Sequence, residues 1–313
     1  MIRTEAAHLR TAAGTHPGET GKNNEDSHFL GSFRLERDNQ PAVLAIVADG
    51  IGGHRGGEVA SQLTIDVVVA MLAAFTGREP PPHLRAAITQ ASRQVLRMAQ
   101  ENPSLEGMGS TIGVGWVLGD RLYGASVGDS RMYLLDDRGL HQLTTDHTWV
   151  QEALDHDVIS PDEARDHPHA HVLRRYIGSL LDVEPDLRLR LSSEATDEQA
   201  LASQGLRLNP GWQIVLCSDG LTDLVRASEM EDTLRSKSPD QAVQALIELA
   251  CSRGGHDNIT VLVLAVPQPS PSPAPRRSPR LGWWLALAVS IPLLVMLTGF
   301  ALAALTLLGW LPW

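Results

Sequence analysis

The sequence predicts an α+β domain layered from antiparallel sheets and helices, and three observations carry that expectation. Apolar β-type runs, such as A-V-L-A-I-V at 42–47 and I-V-L-C at 214–217, mix with helix pairs and lack the regular βαβ alternation of a parallel sheet. Over 110–144, three short runs (S-T-I-G-V-G-W-V-L, R-L-Y-G-A-S-V and R-M-Y-L-L-D) are separated by Gly119-Asp120 and Asp137-Arg138-Gly139, the punctuation of consecutive hairpins. At 313 residues, 43% of them hydrophobic, the chain can also bury a sizeable core.

In chain order the periodicity predicts a strand at 42–48, then a helix over about 57–75 with Val59, Leu63, Val67 and Ala70 on one face. Pro80-Pro81-Pro82 reads as a stop, followed by a second helix at about 83–101. The runs at 110–144 read as an antiparallel meander. A polar, His-rich stretch with short helices covers about 146–178. Strands recur at 186–191 and 212–217, a helix starts near Pro239, and the last strand is 258–266.

The folded unit is therefore expected to span 1–266. P-Q-P-S-P-S-P-A-P-R-R-S-P-R at 267–280 removes amide donors and fixes φ, which predicts an extended linker. Residues 281–313 carry no charge and exceed the ~20 positions needed to cross a bilayer, with Trp283, Trp284 and Trp310 near the two ends. They are expected to form one C-terminal transmembrane helix. Arg276, Arg277 and Arg280 on its N-terminal side place the body in the cytoplasm, at the inner face of the cell membrane. M-I-R-T-E-A-A-H-L-R lacks the apolar region of a signal peptide.

The net charge is −11, and the arginines of the linker leave the body still more acidic. That argues against nucleic acid as a partner. The two cysteines, Cys217 in an apolar run and Cys251 near the end of a helical pattern, fit reduced structural thiols rather than a disulfide or a thiol catalyst.

Four acidic clusters carry the functional argument: N-N-E-D at 23–26, A-D-G-I-G-G-H at 48–54, C-S-D-G-L at 217–221 and H-D-N-I-T at 256–260. Asp49, Asp219 and Asp257 adjoin buried-type strands, so their carboxylates are expected at strand ends. Asp49-Gly50 alone reads equally well as a strand-to-helix turn. Three such acids together would repel one another unless a hard divalent cation joins them.

With G-M-G-S-T at 107–111 and V-G-D-S-R at 127–131 added, the order and approximate spacing resemble the metal-dependent protein phosphatases, the type 2C serine/threonine group, over nearly all of residues 10–266. The G-G-H at 52–54 resembles the bacterial branch. The resemblance implies two antiparallel sheets packed as a sandwich between helices, and two Mn²⁺ or Mg²⁺ ions, with a third in some members. It implies Asp49 as the bridging ligand, Asp219 and Asp257 completing one ion, the Gly50 carbonyl serving the other, and Glu25 and Asp26 contributing directly or through water. Asp129 matches an outer ion position, although a hairpin-turn aspartate fits that spacing equally well. The implied chemistry is in-line attack of an activated water on a phosphomonoester, with no phosphoenzyme. The implied substrates are phosphoproteins, and the implied counterpart is a serine/threonine kinase.

Two departures qualify the resemblance. The family's phosphate-gripping arginine falls at Gly21, and the adjacent Lys22 is either its substitute, a point charge without a fork, or a solvated surface lysine. Ile51 stands where eukaryotic members carry a histidine, and His54 is not assigned its acid chemistry. Residues 144–171 resemble the flap beside the bacterial site; the alternating His167, His169 and His171 could suggest a zinc ligand set, but Pro168 and the flap match favour a solvated loop. Gly21 leaves two other readings open: a catalytically weak membrane-tethered scaffold that binds phosphoproteins, and another metal-dependent phosphate-ester hydrolase.

Overall fold

Thirteen strands form two principal antiparallel sheets and one small ladder in the computed structural model, which describes residues 1–52, 55–165, 167–268 and 282–309. In chain order they are β1 Ile2–Thr4, β2 Arg10–His16, β3 Ser27–Arg34, β4 Pro41–Ala48, β5 Gly50–Ile51, β6 Gly109–Ser110, β7 Ile112–Leu118, β8 Arg121–Val127, β9 Arg131–Leu135, β10 Leu140–Gln142, β11 Leu206–Arg207, β12 Gln213–Cys217 and β13 Ile259–Ala265. The first sheet runs β1-β3-β4-β7-β8-β11, the second β10-β9-β12-β13-β2, and β5 pairs with β6. The helices are α1 Arg55–Ala73, α2 Pro80–Glu101, α3 Trp149–Asp155, α4 Pro161–Arg165, α5 Asp197–Ala202, α6 Asp219–Thr222, α7 Ala227–Ser236, α8 Pro239–Ser252 and α9 Gly282–Leu307.

The uninterrupted apolarity of the central strands follows from their being covered on both faces. In β4, Val43, Ala45 and Val47 point into the core between the sheets, where they meet Met132, Leu216 and Leu262. The alternate residues Ala42, Leu44, Ile46 and Ala48 face the layer of α1 and α2 with Val68, Leu72, Leu84 and Trp116. The same period-2 split divides Val215 and Cys217 from Ile214 and Leu216 in β12, and sends the first pair toward α7 and α8. The order is helix, sheet, sheet, helix.

Several local expectations change. The fully buried face of α1 is Ala60, Ser61, Thr64, Ile65, Val68 and Leu72, whereas Val59, Leu63 and Val67 are half-buried and Ala70 is exposed. An apolar-only pattern misses this face because Ser61 and Thr64 are buried with their hydroxyls bonded to Glu25 O and Ala60 O. The prolines at 80–82 start α2 rather than stopping the chain, since a proline at the first helical position loses no intrahelical bond. The runs over 110–144 are two hairpins in different sheets, because the chain passes from β8 in one sheet to β9 in the other through Gly128-Asp129-Ser130. Residues 186–191 form an isolated bridge at Asp186 in place of a strand.

The chain divides into Met1–Gln268 and Pro269–Trp313. In the second unit, α9 is 26 residues long. From Val295 onward its large apolar side chains are exposed, Phe300 at 76% and Leu307 at 88%. The apolar stretch with described side chains, Val295–Leu307, is shorter than a bilayer requires. Among the described residues Gly56–Ala73 is long and apolar enough to cross one, with mean hydropathy 1.3, but it lies in the core helix α1.

Candidate metal centre

β4 delivers Asp49 to the end of its buried run, and the following residues are fixed from both sides. Asp49 N donates to Thr111 Oγ1 at 3.0 Å, and Thr111 N and Ser110 Oγ donate to Asp49 O at 2.8 and 2.9 Å. Thr111 Oγ1 in turn meets Ser130 Oγ at 2.6 Å, so the G-S-T and G-D-S segments brace Asp49. Gly50 has no room for a side chain, because a Cβ would lie 2.2 Å from Gly57 O and 2.7 Å from Glu25 O. Close backbone approach at that point is what requires glycine.

Asp219 opens α6 directly after β12, and Asp257 immediately precedes β13 through Asn258. Asn258 accepts from Glu25 N at 2.7 Å and donates to Pro17 O and Asn23 O at 3.0 and 3.2 Å. Its own amide donates to Asp257 Oδ1 at 2.9 Å. The asparagine of D-N-I-T therefore ties the N-terminal acidic loop to Asp257. Asp26 Oδ2 accepts from Ser218 Oγ at 2.8 Å and from Thr260 Oγ1 at 2.6 Å.

The other oxygens are the informative ones. Asp26 Oδ1 and Asp219 Oδ1 are buried and have no hydrogen-bond partner in the protein. Burial pushes the Asp26 carboxyl up to about 7; the Thr260 and Ser218 hydroxyls oppose the shift, and Asp219 and Asp257 add to it. Burial, reinforced by neighbouring carboxylates, holds Asp49 and Asp129 well above the usual aspartate range. Burial also acts on Asp219, but the neighbouring His171 imidazole and Asp49 carboxyl outweigh it and the net direction is down. Buried carboxyls crowded together without a counter-charge, with two orphaned oxygens among them, fit hard divalent cations.

A cavity of about 650 Å³ opens on Lys22, Glu25, Asp49, Asp129, Asp219 and Asp257, so every expected acidic position except Asp26 lines it. Asp26 sits behind, bonded to Ser218. Asp129 belongs to the crossing between sheets and not to a hairpin turn, and it is buried against this group. Gly21 and Lys22 line the cavity too. Gly21 has φ +72° and open space where a side chain would start.

His171 is exposed on its loop and also reaches the acidic group. Its Nδ1 lies 3.7 Å from both Asp219 Oδ2 and Asp223 Oδ2, and the Asp219 carboxylate leads the effects that raise it to about 9. His167 and His169 instead pack on Trp149, at ring-centroid distances of 4.7 and 5.3 Å, so the three histidines do not converge. The flap resemblance brought residues 144–171 beside the site without singling out His171, and no sequence signal joined Asp223 to the centre. Arg131 of G-D-S-R is engaged in a fork on Asp146, 2.6 Å at its closest, which removes it as a free phosphate grip. His54 lies outside the described residues.

The family model described as protein phosphatase 2C matches residues 13–249. The chain belongs to the protein phosphatase 2C family. It is a metal-dependent serine/threonine phosphatase, a hydrolase. The serine/threonine phosphatase stp of Listeria welshimeri is 38% identical over 255 residues, 80% of this chain and 93% of that protein. PstP of Mycobacterium tuberculosis is 37% identical over 259 residues, 82% of this chain but 44% of PstP. Among solved structures, the S. agalactiae serine/threonine phosphatase superposes with a TM-score of 0.71 at 31% identity, covering 82% of this chain and 99% of that one. The catalytic domain of PstP in complex with two manganese ions gives 0.67 at 34%, covering 82% and 97%.

Proposed function

We propose that residues 1–266 hydrolyse phosphoserine and phosphothreonine in proteins at a membrane surface, with two Mn²⁺ or Mg²⁺ ions bridged by Asp49. Asp219 and Asp257 complete one ion, the Gly50 carbonyl serves the other, and Glu25 and Asp26 contribute directly or through water. Asp129 is assigned to a third, outer ion. The observation that carries the assignment is the convergence of Glu25, Asp49, Asp129, Asp219 and Asp257 on one cavity, with Asp26 behind them and the Asp26 and Asp219 Oδ1 atoms left without partners.

When bound, such ions lower the pKa of water and neutralise phosphoryl charge. The chain's own residues set the geometry. Thr111 and Ser110 hold the Asp49 backbone, Gly50 keeps the approach open, and Asn258 locks the Glu25 loop against Asp257. Lys22 offers a point charge to the phosphate from the cavity wall. His171 brings an imidazole to the rim, 3.7 Å from Asp219 Oδ2.

A scaffold without catalysis is disfavoured, since buried carboxylates kept without their cations are costly. Phosphate release from a phosphothreonine peptide by residues 1–266 tests the assignment, with Mn²⁺, with EDTA and with Asp219→Asn. Release that needs Mn²⁺ and disappears in the variant supports it. Release from a phosphodiester but not from the peptide would favour a different phosphate-ester hydrolase, and no release from either would favour the scaffold.

Residues 281–313 are assigned to a single membrane span that leaves the body cytoplasmic. The support is the charge-free sequence, its terminal tryptophans and the preceding arginines. A serine/threonine kinase is the counterpart, since that reaction class makes the phosphomonoester consumed here.

A further inference from the structure

Outside the phosphatase centre, the end of β2 meets the end of α8 in a cluster with a different donor chemistry. His16, Glu19 and Cys251 each bring one ligand-type atom, and these atoms lie within 4.8 Å of one another. His16 Nδ1 is 3.3 Å from Cys251 Sγ. Gly18 N donates to the same Nδ1 at 3.1 Å, so this nitrogen carries a lone pair and not a proton. His16 and Cys251 are half-buried and Glu19 is exposed, which leaves an entry path from solvent.

The backbone is shaped to bring the three together. Glu19 N donates to Gly255 O at 2.8 Å, folding the 17–25 loop onto the turn after α8. Gly255 has φ +48°, and a Cβ there would lie 2.9 Å from Glu19 Cγ and 3.4 Å from Cys251 Cα. A side chain at 255 would push Glu19 off the thiol.

We propose that His16, Glu19 and Cys251 form a second metal site, selective for a borderline divalent ion of the zinc class. One nitrogen, one carboxylate oxygen and one sulfur match the zinc donor set, with solvent as the fourth ligand. With Zn–N near ~2.0 Å and Zn–S near ~2.3 Å, a tetrahedral N···S edge is about 3.5 Å, close to the spacing already present. The hard ions of the phosphatase centre have no preference for a thiolate, so the two sites divide metals by chemistry. Binding breaks the Cys251 S–H bond, sends its proton to solvent and forms the sulfur–metal bond. The metal also takes the Nδ1 lone pair from Gly18 N–H.

The position gives the site a consequence. Glu19 shares its loop with Lys22, Glu25 and Asp26, while Cys251 lies a short turn before Asp257. A metal here fastens together the two segments that supply half of the phosphatase acids.

The test is a Co²⁺ titration of the reduced full chain with the oxygen-rich centre held by excess Mg²⁺, followed by thiolate-to-cobalt absorption in the near ultraviolet. Only a cysteine ligand produces that band, and Cys217 is fully buried in β12. The expected result is a band that saturates at one equivalent, is bleached by Zn²⁺ and is absent in Cys251→Ser. Glu19→Gln and His16→Gln should each weaken Co²⁺ binding at least about tenfold. Far-ultraviolet circular dichroism checks each variant for folding; Glu19→Gln, at an exposed position, keeps the test valid if the cysteine variant misfolds. No band, a band that survives Cys251→Ser, or wild-type affinity in both Glu19→Gln and His16→Gln overturns the site.

Discussion

Asp26 has the carboxyl most at odds with its surroundings: buried, bonded through one oxygen to Ser218 and Thr260, with nothing on the other. An acid whose pKa is raised on folding stabilises the fold while protonated. That contribution is complete below the unfolded value near ~4 and is lost as the pH climbs through about 7. In EDTA, Asp26→Asn should therefore gain stability relative to wild type as the pH rises from about 4 to about 7, and Mn²⁺ should shift the balance back toward wild type. Thermal melts across that range measure it, and a pH-independent difference would contradict the assignment. At Gly21 the expectation concerns affinity. An arginine has room there, but φ +72° strains any side chain, so Gly21→Arg should cost about 1 kcal/mol of stability. The regained fork should lower KM for a phosphopeptide about threefold or more with kcat little changed. An unchanged KM would show that Lys22 or another group already fills the role.

The elements that hold the site were legible in the sequence to the extent that they are buried on both faces. β4, β12 and β13 read as unbroken apolar runs because helices and the opposite sheet cover them, so Asp49, Asp219 and Asp257 could be placed at their ends. β2 escaped because R-T-A-A-G-T-H is an edge strand with little apolar content. The placement of Asp129 between sheets was hidden since strand runs look alike whichever sheet they join, and His171 was hidden because its approach to Asp219 is tertiary. Asn258 shows how much one residue contributes to element order. Its side chain bonds Glu25 N, Pro17 O and Asn23 O, so Asn258→Ala should cost about 2–4 kcal/mol. It should also raise the Mn²⁺ concentration for half-maximal activity several-fold, since Glu25 and Asp26 lose their tether. Denaturant melts and a metal titration check both, and a stable variant with an unshifted Mn²⁺ requirement would remove Asn258 from the account.

For the whole molecule, the expected division of labour is an acidic catalytic body and an apolar anchor. The full chain should co-sediment with phospholipid vesicles and resist high-salt extraction, whereas residues 1–266 should stay in the supernatant with the same activity on a soluble phosphopeptide. Equal partitioning of the two would remove the membrane from the picture without touching the chemistry. The central claim is that the acids gathered around Asp49 form one metal-dependent phosphatase centre, and it is tested most directly by the Mn²⁺ dependence of phosphate release from a phosphothreonine peptide. Wild-type residues 1–266 should show saturable Mn²⁺ activation abolished by EDTA. Asp49→Asn, folded by circular dichroism, should lose at least about a hundredfold in kcat, because the proposed bridging position would serve both ions. An Asp49→Asn protein that releases phosphate at the wild-type rate, or a wild type indifferent to EDTA, would contradict it.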